Sequence, residues 1–251
     1  MPRNNTRLLR PSHRERIALL FALGVILLLT GGFVALYVVN GESERSTTFS
    51  GDSIRAIDSA NTITDRQWFD KAYAEGFRLY ILHSTSWGTC DKWYMTEPQL
   101  GMAVAAGLKI AVYTRDPRCW REGIQATGPY ATQLQFFALD IETKPGIAVT
   151  REMVDGVTSM GVRPVIYTGS GMWDDVQANG EKDFSDIALW DTDVSTFDYS
   201  SWTANYMQPR PVVYGGWNTP STMRVGVQQQ FEYELNGIKV DLNSFRADFL
   251  K

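Results

Sequence analysis

Three stretches of this chain, EGFRLYILH (75–83), AGLKIAVYT (106–114) and MGVRPVIYT (160–168), repeat one pattern: a glycine, an apolar residue, a basic residue and then a β-rich run. Each follows a stretch with helical spacing. A glycine at that junction ends a helix in the left-handed conformation without a Cβ clash, as Gly76, Gly107 and Gly161 would here. The first of these helices has Thr64 with Gln67 three residues on, which predicts a capping box at its start. Helix, glycine and buried strand in repetition describe βα units around a parallel sheet.

Strands are expected near 54–58, 77–83, 108–114, 136–142, 163–168, 186–191, 211–214 and 225–230, and eight of them suggest a closed, TIM-like α/β barrel. Helices are plausible after the first five. From Asp191 to Arg224 the chain is rich in Asp, Ser, Pro, Gly and Trp without 3.6-residue periodicity, so the last three strands are expected to lack full helices. A doubly wound open sheet is the alternative fold, although no Gly-x-Gly-x-x-Gly turn follows the first strand.

The segment ahead of the barrel reads as an address. Residues 1–16 form a basic tail with Arg3, Arg7, Arg10, Arg14 and Arg16 against the single acid Glu15, and Ile17 to Val39 then runs for 23 residues without a charge. At ~1.5 Å per residue a helix of that length covers ~34 Å, enough for a bilayer core of ~30 Å. The flank VALYVVNGES has no Ala-x-Ala cleavage pattern. The expectation is therefore an uncleaved transmembrane signal anchor over 17–39, a linker over 40–52 and a barrel over 53–251. The arginines would stay in the cytoplasm and the barrel would face the other side of the cell membrane. Because the whole chain is at −4 and the tail is basic, the barrel alone is more acidic still, which argues against nucleic acid as a partner. Its two cysteines, Cys90 and Cys119, could form one bridge on the oxidising side. A metal site or other cofactor is not expected, since His83 is the only histidine after the tail.

Within FFALDIETKP (136–145) an apolar run passes into Asp140 and Glu142. On a strand these two carboxylates share a face ~6.5–7 Å apart, at the C-terminal end where barrel enzymes hold their chemistry. Two carboxylates in one pocket divide their protonation: one keeps a proton, the other stays ionised. Glycosidic cleavage needs that pair, one group to protonate the leaving oxygen and the other to stabilise or attack the oxocarbenium-like centre. The competing reading has Asp140 capping the next loop and Glu142 facing solvent. Asp58 ends the first strand, and Asp241 lies near the closing strand, beside the first in a closed barrel. Each could instead be structural, Asp58 in an Asx-turn and Asp241 as the cap of a final helix NSFRADFL.

The stretches AIDSAN, GLKIAVYT, FALDIE, PVIYTGSGMW, IALWDTD and NGIKVDLNSF, in that order from about residue 51 to 249, resemble the glycoside hydrolase family 25 lysozymes. The resemblance implies a (β/α)5(β)3 barrel that cleaves the β-1,4 bond between N-acetylmuramic acid and N-acetylglucosamine in peptidoglycan. It implies Glu142 as general acid, and Asp140 as its partner, assisting the substrate's N-acetyl group or stabilising the cation. Asp58 and Asp241 would be supporting acids. Two stretches depart from the family pattern. His83, Ser84, Thr85, Ser86 and Trp87 replace a Lys-Ala-Thr/Ser-Glu-Gly-like run after the second strand, and Tyr113, Thr114 and Arg115 replace Tyr-His-Phe after the third.

Aromatic residues at the strand ends suit a sugar, whose C–H faces stack on flat rings. Tyr113, Tyr167 and Trp190 are the candidates at strand tips, with Trp87, Trp93 and Trp217 in adjoining loops, and Gln229 within the run Gln228 to Gln230 as a hydrogen-bonding candidate for an acetamido group. Rival chemistries lack their parts. A chitinase-type acid run would need a carboxylate at Ala138, and Ser170 lies in TGSGM rather than Gly-x-Ser-x-Gly. The expectation is a membrane-anchored hydrolase acting on peptidoglycan or a related aminosugar polymer. Its alternative is the same barrel as a wall-glycan binding module that does not cut.

Overall fold

The computed structural model describes residues 53–192, 212–217 and 223–251. The basic tail, the expected anchor over 17–39 and the linker over 40–52 lie outside the described residues, among which no helix is long and apolar enough to cross a membrane. The strands are β1 (Ser53–Ser59), β2 (Phe77–His83), β3 (Lys109–Thr114), β4 (Leu134–Asp140), β5 (Pro164–Thr168), β6 (Ala188–Thr192), β7 (Arg224–Leu235) and β8 (Ile238–Arg246). They close into one barrel in chain order, which excludes the open doubly wound sheet. Neighbours from β1 to β7 are parallel, while β8 runs antiparallel to both β7 and β1. Helices α1 (Arg66–Ala74), α2 (Thr96–Ala105), α3 (Trp120–Gln125), α4 (Arg151–Ser159) and α5 (Ser170–Val176) follow the first five strands in turn.

The three repeat glycines adopt the left-handed backbone, with φ of +97° at Gly76, +91° at Gly107 and +75° at Gly161. At the start of α1 the cap is Asp65, whose carboxylate accepts from the Gln67 N–H at 2.8 Å, rather than the expected Thr64. Asp65 satisfies an otherwise orphaned amide of the first turn, and the helix begins one residue later.

The last third of the barrel departs most from the sequence reading. Residues 212–214 form no strand, and the expected eighth strand is the seventh. The true eighth is Ile238–Arg246, so the expected final helix is strand through Arg246 followed by a single 3₁₀ turn, Ala247–Phe249. The cause is a two-residue hairpin. Leu235 pairs with Ile238 across Asn236 and Gly237, whose φ values of +50° and +79° are those that Asn-Gly supplies to a type I′ turn. Once that turn forms, NSFR pairs with β7 and β1 instead of curling.

Two apolar layers follow from strand alternation. Outward residues such as Ile57, Leu82, Val112 and Leu139 pack under the helices with Trp68, Phe69 and Leu100. Inward residues fill the barrel, among them Ala56, Leu79, Ile81, Phe136, Ala138, Val165 and Phe245. Phe136 and Phe245 stack at 5.4 Å, and the small Gly226 lets them meet, since a Cβ there would collide with the Phe245 ring. Gly226→Ala is accordingly expected to destabilise the barrel by about 1–3 kcal/mol through overpacking. Urea titration checks this, and an unchanged midpoint would show that the interior is slack at this level.

Candidate active site

The inward series that fills the barrel continues, two residues at a time, into the groups at its mouth. Ala56 leads to Asp58, Ala111 to Tyr113, Ala138 to Asp140, Val165 to Tyr167 and Ala188 to Trp190. Strand period therefore aims each tip side chain at one point. These five, with Glu142, Gln228, Phe231 and Asp241, line a cavity of about 70 Å³. Glu142 lies past the end of β4, which was expected to reach it, but the pairing persists one residue beyond the strand. The Ile141 N–H donates to the Tyr167 carbonyl at 2.9 Å, so Glu142 stays on the inward side.

All four expected acids thus meet, and so do Tyr113, Tyr167 and Trp190. Gln229 does not. Alternation turns it away from the mouth, where its Oε1 accepts from the Ser244 hydroxyl at 2.6 Å, and its neighbour Gln228 occupies the cavity wall. Of the loop tryptophans, Trp217 is fully buried against Trp173 and Phe184, with its indole N–H on the Ile187 carbonyl at 2.7 Å, and Trp93 packs on His83. Only Trp87 stands half exposed.

Gln228 organises one side of the mouth. Its Nε2 donates to both oxygens of Asp58, at 2.8 and 3.0 Å, and to Asp241 at 3.3 Å, while its Oε1 accepts from the Tyr167 hydroxyl. The Glu232 N–H gives Asp241 a further bond at 2.7 Å. Burial pushes Asp58 well above the usual carboxylate range, with the Asp241 charge adding to the rise and the Gln228 bonds opposing it. Asp241 is raised to about 6, again chiefly by burial, opposed by the Glu232 amide. Tyr113 and Tyr167 are held as neutral phenols by burial and by the surrounding acids.

On the other side, Asp140 is 2 % exposed and its Oδ1 has no hydrogen-bond partner. Burial raises it well above the usual range, the Glu142 charge raises it further, and Arg115 opposes both. Glu142 is the more open of the two and forms an ion pair with Arg115, which also donates to the Lys144 carbonyl at 2.6 Å. The resemblance implies a protonated Glu142 beside a charged Asp140. In this structure the buried Asp140 favours the proton and Glu142 has the cationic partner. Arg115 entered the sequence reading only as a departure from the family pattern. Its pairing with Glu142 joins residues 27 apart, a contact that only the β3–β4 neighbourhood creates.

The Cys90–Cys119 disulfide, with Cα atoms 5.0 Å apart and a sequence separation of 29, ties the loop after β2 to the loop after β3. In the chain-entropy account a loop of that size is worth about 3–4 kcal/mol.

No sequence family matches this chain, and no curated protein does. Solved structures do. A muramidase from Trichobolus zukalii is 17 % identical, covering 77 % of this chain and 94 % of its own, with a TM-score of 0.52. A family GH25 lysozyme from Aspergillus fumigatus is 18 % identical over 78 % and 94 %, with a TM-score of 0.55. At such identities the likeness is one of fold. The protein has a lysozyme-like barrel.

The raised acids tie stability to pH. A carboxyl whose folded pKa lies above its unfolded value of ~3.9 favours folding fully below that value and loses the contribution as pH rises through the folded pKa. For Asp241 the window is pH ~4 to about 6. Asp241→Asn, which no longer ionises, is expected to gain thermal stability relative to the parent as pH rises from 4 to 7. Paired melts at the two pH values check this, and a constant difference would mean that the buried charge carries no cost.

Proposed function

We propose that this protein is a glycoside hydrolase that cleaves β-1,4 bonds of peptidoglycan. The observation that carries the reading is the convergence of Asp58, Asp140, Glu142 and Asp241 with Tyr113, Tyr167 and Trp190 in one cavity at the C-terminal end of a lysozyme-like barrel. Acids alone would suit many sites. Acids ringed by phenols and an indole suit a sugar at which positive charge develops.

In this reading Glu142 reaches the glycosidic oxygen, because it is the open member of the pair. Its proton passes to the leaving oxygen as the bond from that oxygen to the anomeric carbon breaks, and the resulting carboxylate then accepts a proton from the incoming water. Asp140 lies beside Glu142 in the cavity, and burial favours the proton on Asp140. During cleavage Asp140 faces the developing cation or steadies the substrate's acetamido group. Asp58 and Asp241, bridged by Gln228, hold the far wall and orient substrate. Arg115 must release Glu142 before the proton transfer.

That last requirement favours a second reading, a module that binds wall glycan without cutting it. A glutamate tied to an arginine is a poor proton donor until the tie is broken. Turnover on purified peptidoglycan separates the two. Glu142→Gln is expected to lower turnover by ~10²–10⁴-fold with its melting temperature unchanged. Asp140→Asn is expected to be severely impaired, and Asp58→Asn and Asp241→Asn less so. A folded Glu142→Gln as active as the parent removes the acid assignment, and a parent that binds peptidoglycan but releases no new reducing ends is the module.

The basic tail and the 23-residue uncharged run support a single-pass anchor in the cell membrane with the N-terminus cytoplasmic and the barrel outside. Protease added to intact cells or spheroplasts is expected to digest the barrel. A fully soluble secreted product starting near Glu42 would refute the anchor.

A further inference from the structure

The glycine–apolar–basic repeat carries one residue that neither the barrel core nor the mouth uses, the basic one. It is Arg78, Lys109 and Arg163 in the three stretches. Arg78 is the second residue of β2, Lys109 the first of β3, and Arg163 immediately precedes β5. Because β1 to β7 are parallel, all their starts lie at one pole of the barrel, opposite the acidic mouth. The repeat therefore sets three cations at that pole. Antiparallel β8 ends there as well and places Arg246 beside Ser53.

Backbone carbonyls hold two of these cations. Arg78 donates to the Tyr73 and Phe77 carbonyls, at 2.8 and 2.7 Å, and Arg163 donates to that of Phe249. A carbonyl orients a guanidinium without cancelling its charge. Lys109 is exposed and forms no ion pair among the described residues. The neighbouring carboxylates are engaged elsewhere: Asp248 pairs with Arg246, Asp186 with Arg151, and Glu75 accepts from the Asn236 side-chain amide at 3.1 Å. At the opposite pole Asp58, Asp140, Glu142 and Asp241 converge. The net acidity of the barrel thus conceals a separation of sign along its axis.

Exposed apolar groups accompany the cations. Tyr73, in the last turn of α1, and Met160, which ends α4, are both more than a third exposed, and each lies within three residues of a repeat glycine. The Arg78 guanidinium lies 4.2 Å from the centre of the Tyr73 ring, and that of Arg163 lies 4.4 Å from the centre of the Phe249 ring. Rings beside fixed cations suit a bilayer surface, where the rings sit at headgroup level and the cations meet lipid phosphates. The chain also enters the barrel at this pole, at Ser53, directly after the linker from the expected anchor. A tethered surface meets its partner at high effective concentration, so a few weak charge contacts suffice to seat it.

We propose that this pole is a lipid-facing surface, which seats the barrel on the anionic headgroups of a bilayer through Arg78, Lys109 and Arg163, with Tyr73 and Met160 at headgroup level. The proposal takes its setting from the single-pass anchor reading and does not depend on whether the barrel cleaves glycan. Its consequence is directional. With the cationic pole on the bilayer, the acidic mouth opens away from the lipid. Each basic side chain close to an anionic surface favours contact about fivefold, and salt screens that attraction.

The test uses the purified full-length chain in lipid nanodiscs made of phosphatidylcholine alone or mixed with anionic phosphatidylglycerol. Mass spectrometry follows acylation of two exposed amines, Lys109 at the basic pole and Lys144 in the loop after β4 on the mouth side. Lys109 is expected to react about fivefold more slowly on the anionic discs at low salt, the difference closing at high salt, while Lys144 stays within about twofold. Arg78→Gln combined with Arg163→Gln is expected to remove most of the difference, with melts as the folding control. Equal Lys109 rates on the two lipids overturn the surface, and so does equal slowing of both lysines. A folded double variant that keeps the full difference overturns the role of the arginines. Slowing of Lys109 by soluble polyglutamate but not by anionic lipid assigns the pole to an acidic soluble partner and overturns the lipid. If the chain leaves neutral discs on gel filtration, the anchor reading fails separately. The surface is then read from flotation with phosphatidylglycerol vesicles, where slowing at Lys109 but not Lys144 upholds it and any other pattern overturns it.

Discussion

The pairing of β8 with both β7 and β1 is the constraint on which the rest of this structure depends. Six parallel pairings would leave a curled sheet with two edges, and one antiparallel strand removes both. The register of that strand sets Asp241 directly opposite Asp58. Like charges so placed are unfavourable, and both groups are largely buried. Gln228 resolves the conflict by donating to both carboxylates from the adjacent strand, and the raised proton affinity of each acid removes part of the remaining repulsion. The closure that completes the fold is therefore the same interaction that makes one wall of the mouth.

The opposite wall is a gradient of burial over three residues. Asp140 ends its strand inside the barrel with an unpartnered oxygen, and Glu142, just past the strand, is open enough to meet Arg115. Position alone divides the two carboxyls, since the low-dielectric interior disfavours charge on the first and the guanidinium accompanies the second. Arg115 in turn lies between the acidic cavity and a neighbouring groove of about 340 Å³ lined by His83, Trp87, Asp116, Arg118 and Lys144. A disulfide holds the loops that form the groove, so its shape does not depend on a long span of unbraced chain.

Much of this was legible in the chain itself. The glycine–apolar–basic–β repeat gave a parallel sheet because a helix must end in the left-handed conformation before a buried strand can begin, and Gly76, Gly107 and Gly161 all have that backbone. The period-2 pattern of the strands carried Asp58, Tyr113, Asp140, Tyr167 and Trp190 to the mouth, because alternation is a property of each strand separately. The Asn-Gly at 236–237 also announced its hairpin, a local signal that the sequence reading passed over in favour of a final helix.

Tertiary structure alone decided the rest, because those features depend on which strands become neighbours. That Gln228 rather than Gln229 faces Asp58 follows from the β7–β8 register, which no stretch of β7 encodes by itself. The Arg115–Glu142 pair, the burial that raises the proton affinity of Asp140, and the unpartnered Nε2 of His83 arise from groups far apart in sequence. A sequence names the residue types at each strand tip through local periodicity. Their charges and partners are set by desolvation and by contacts across the barrel, which exist only once it has closed.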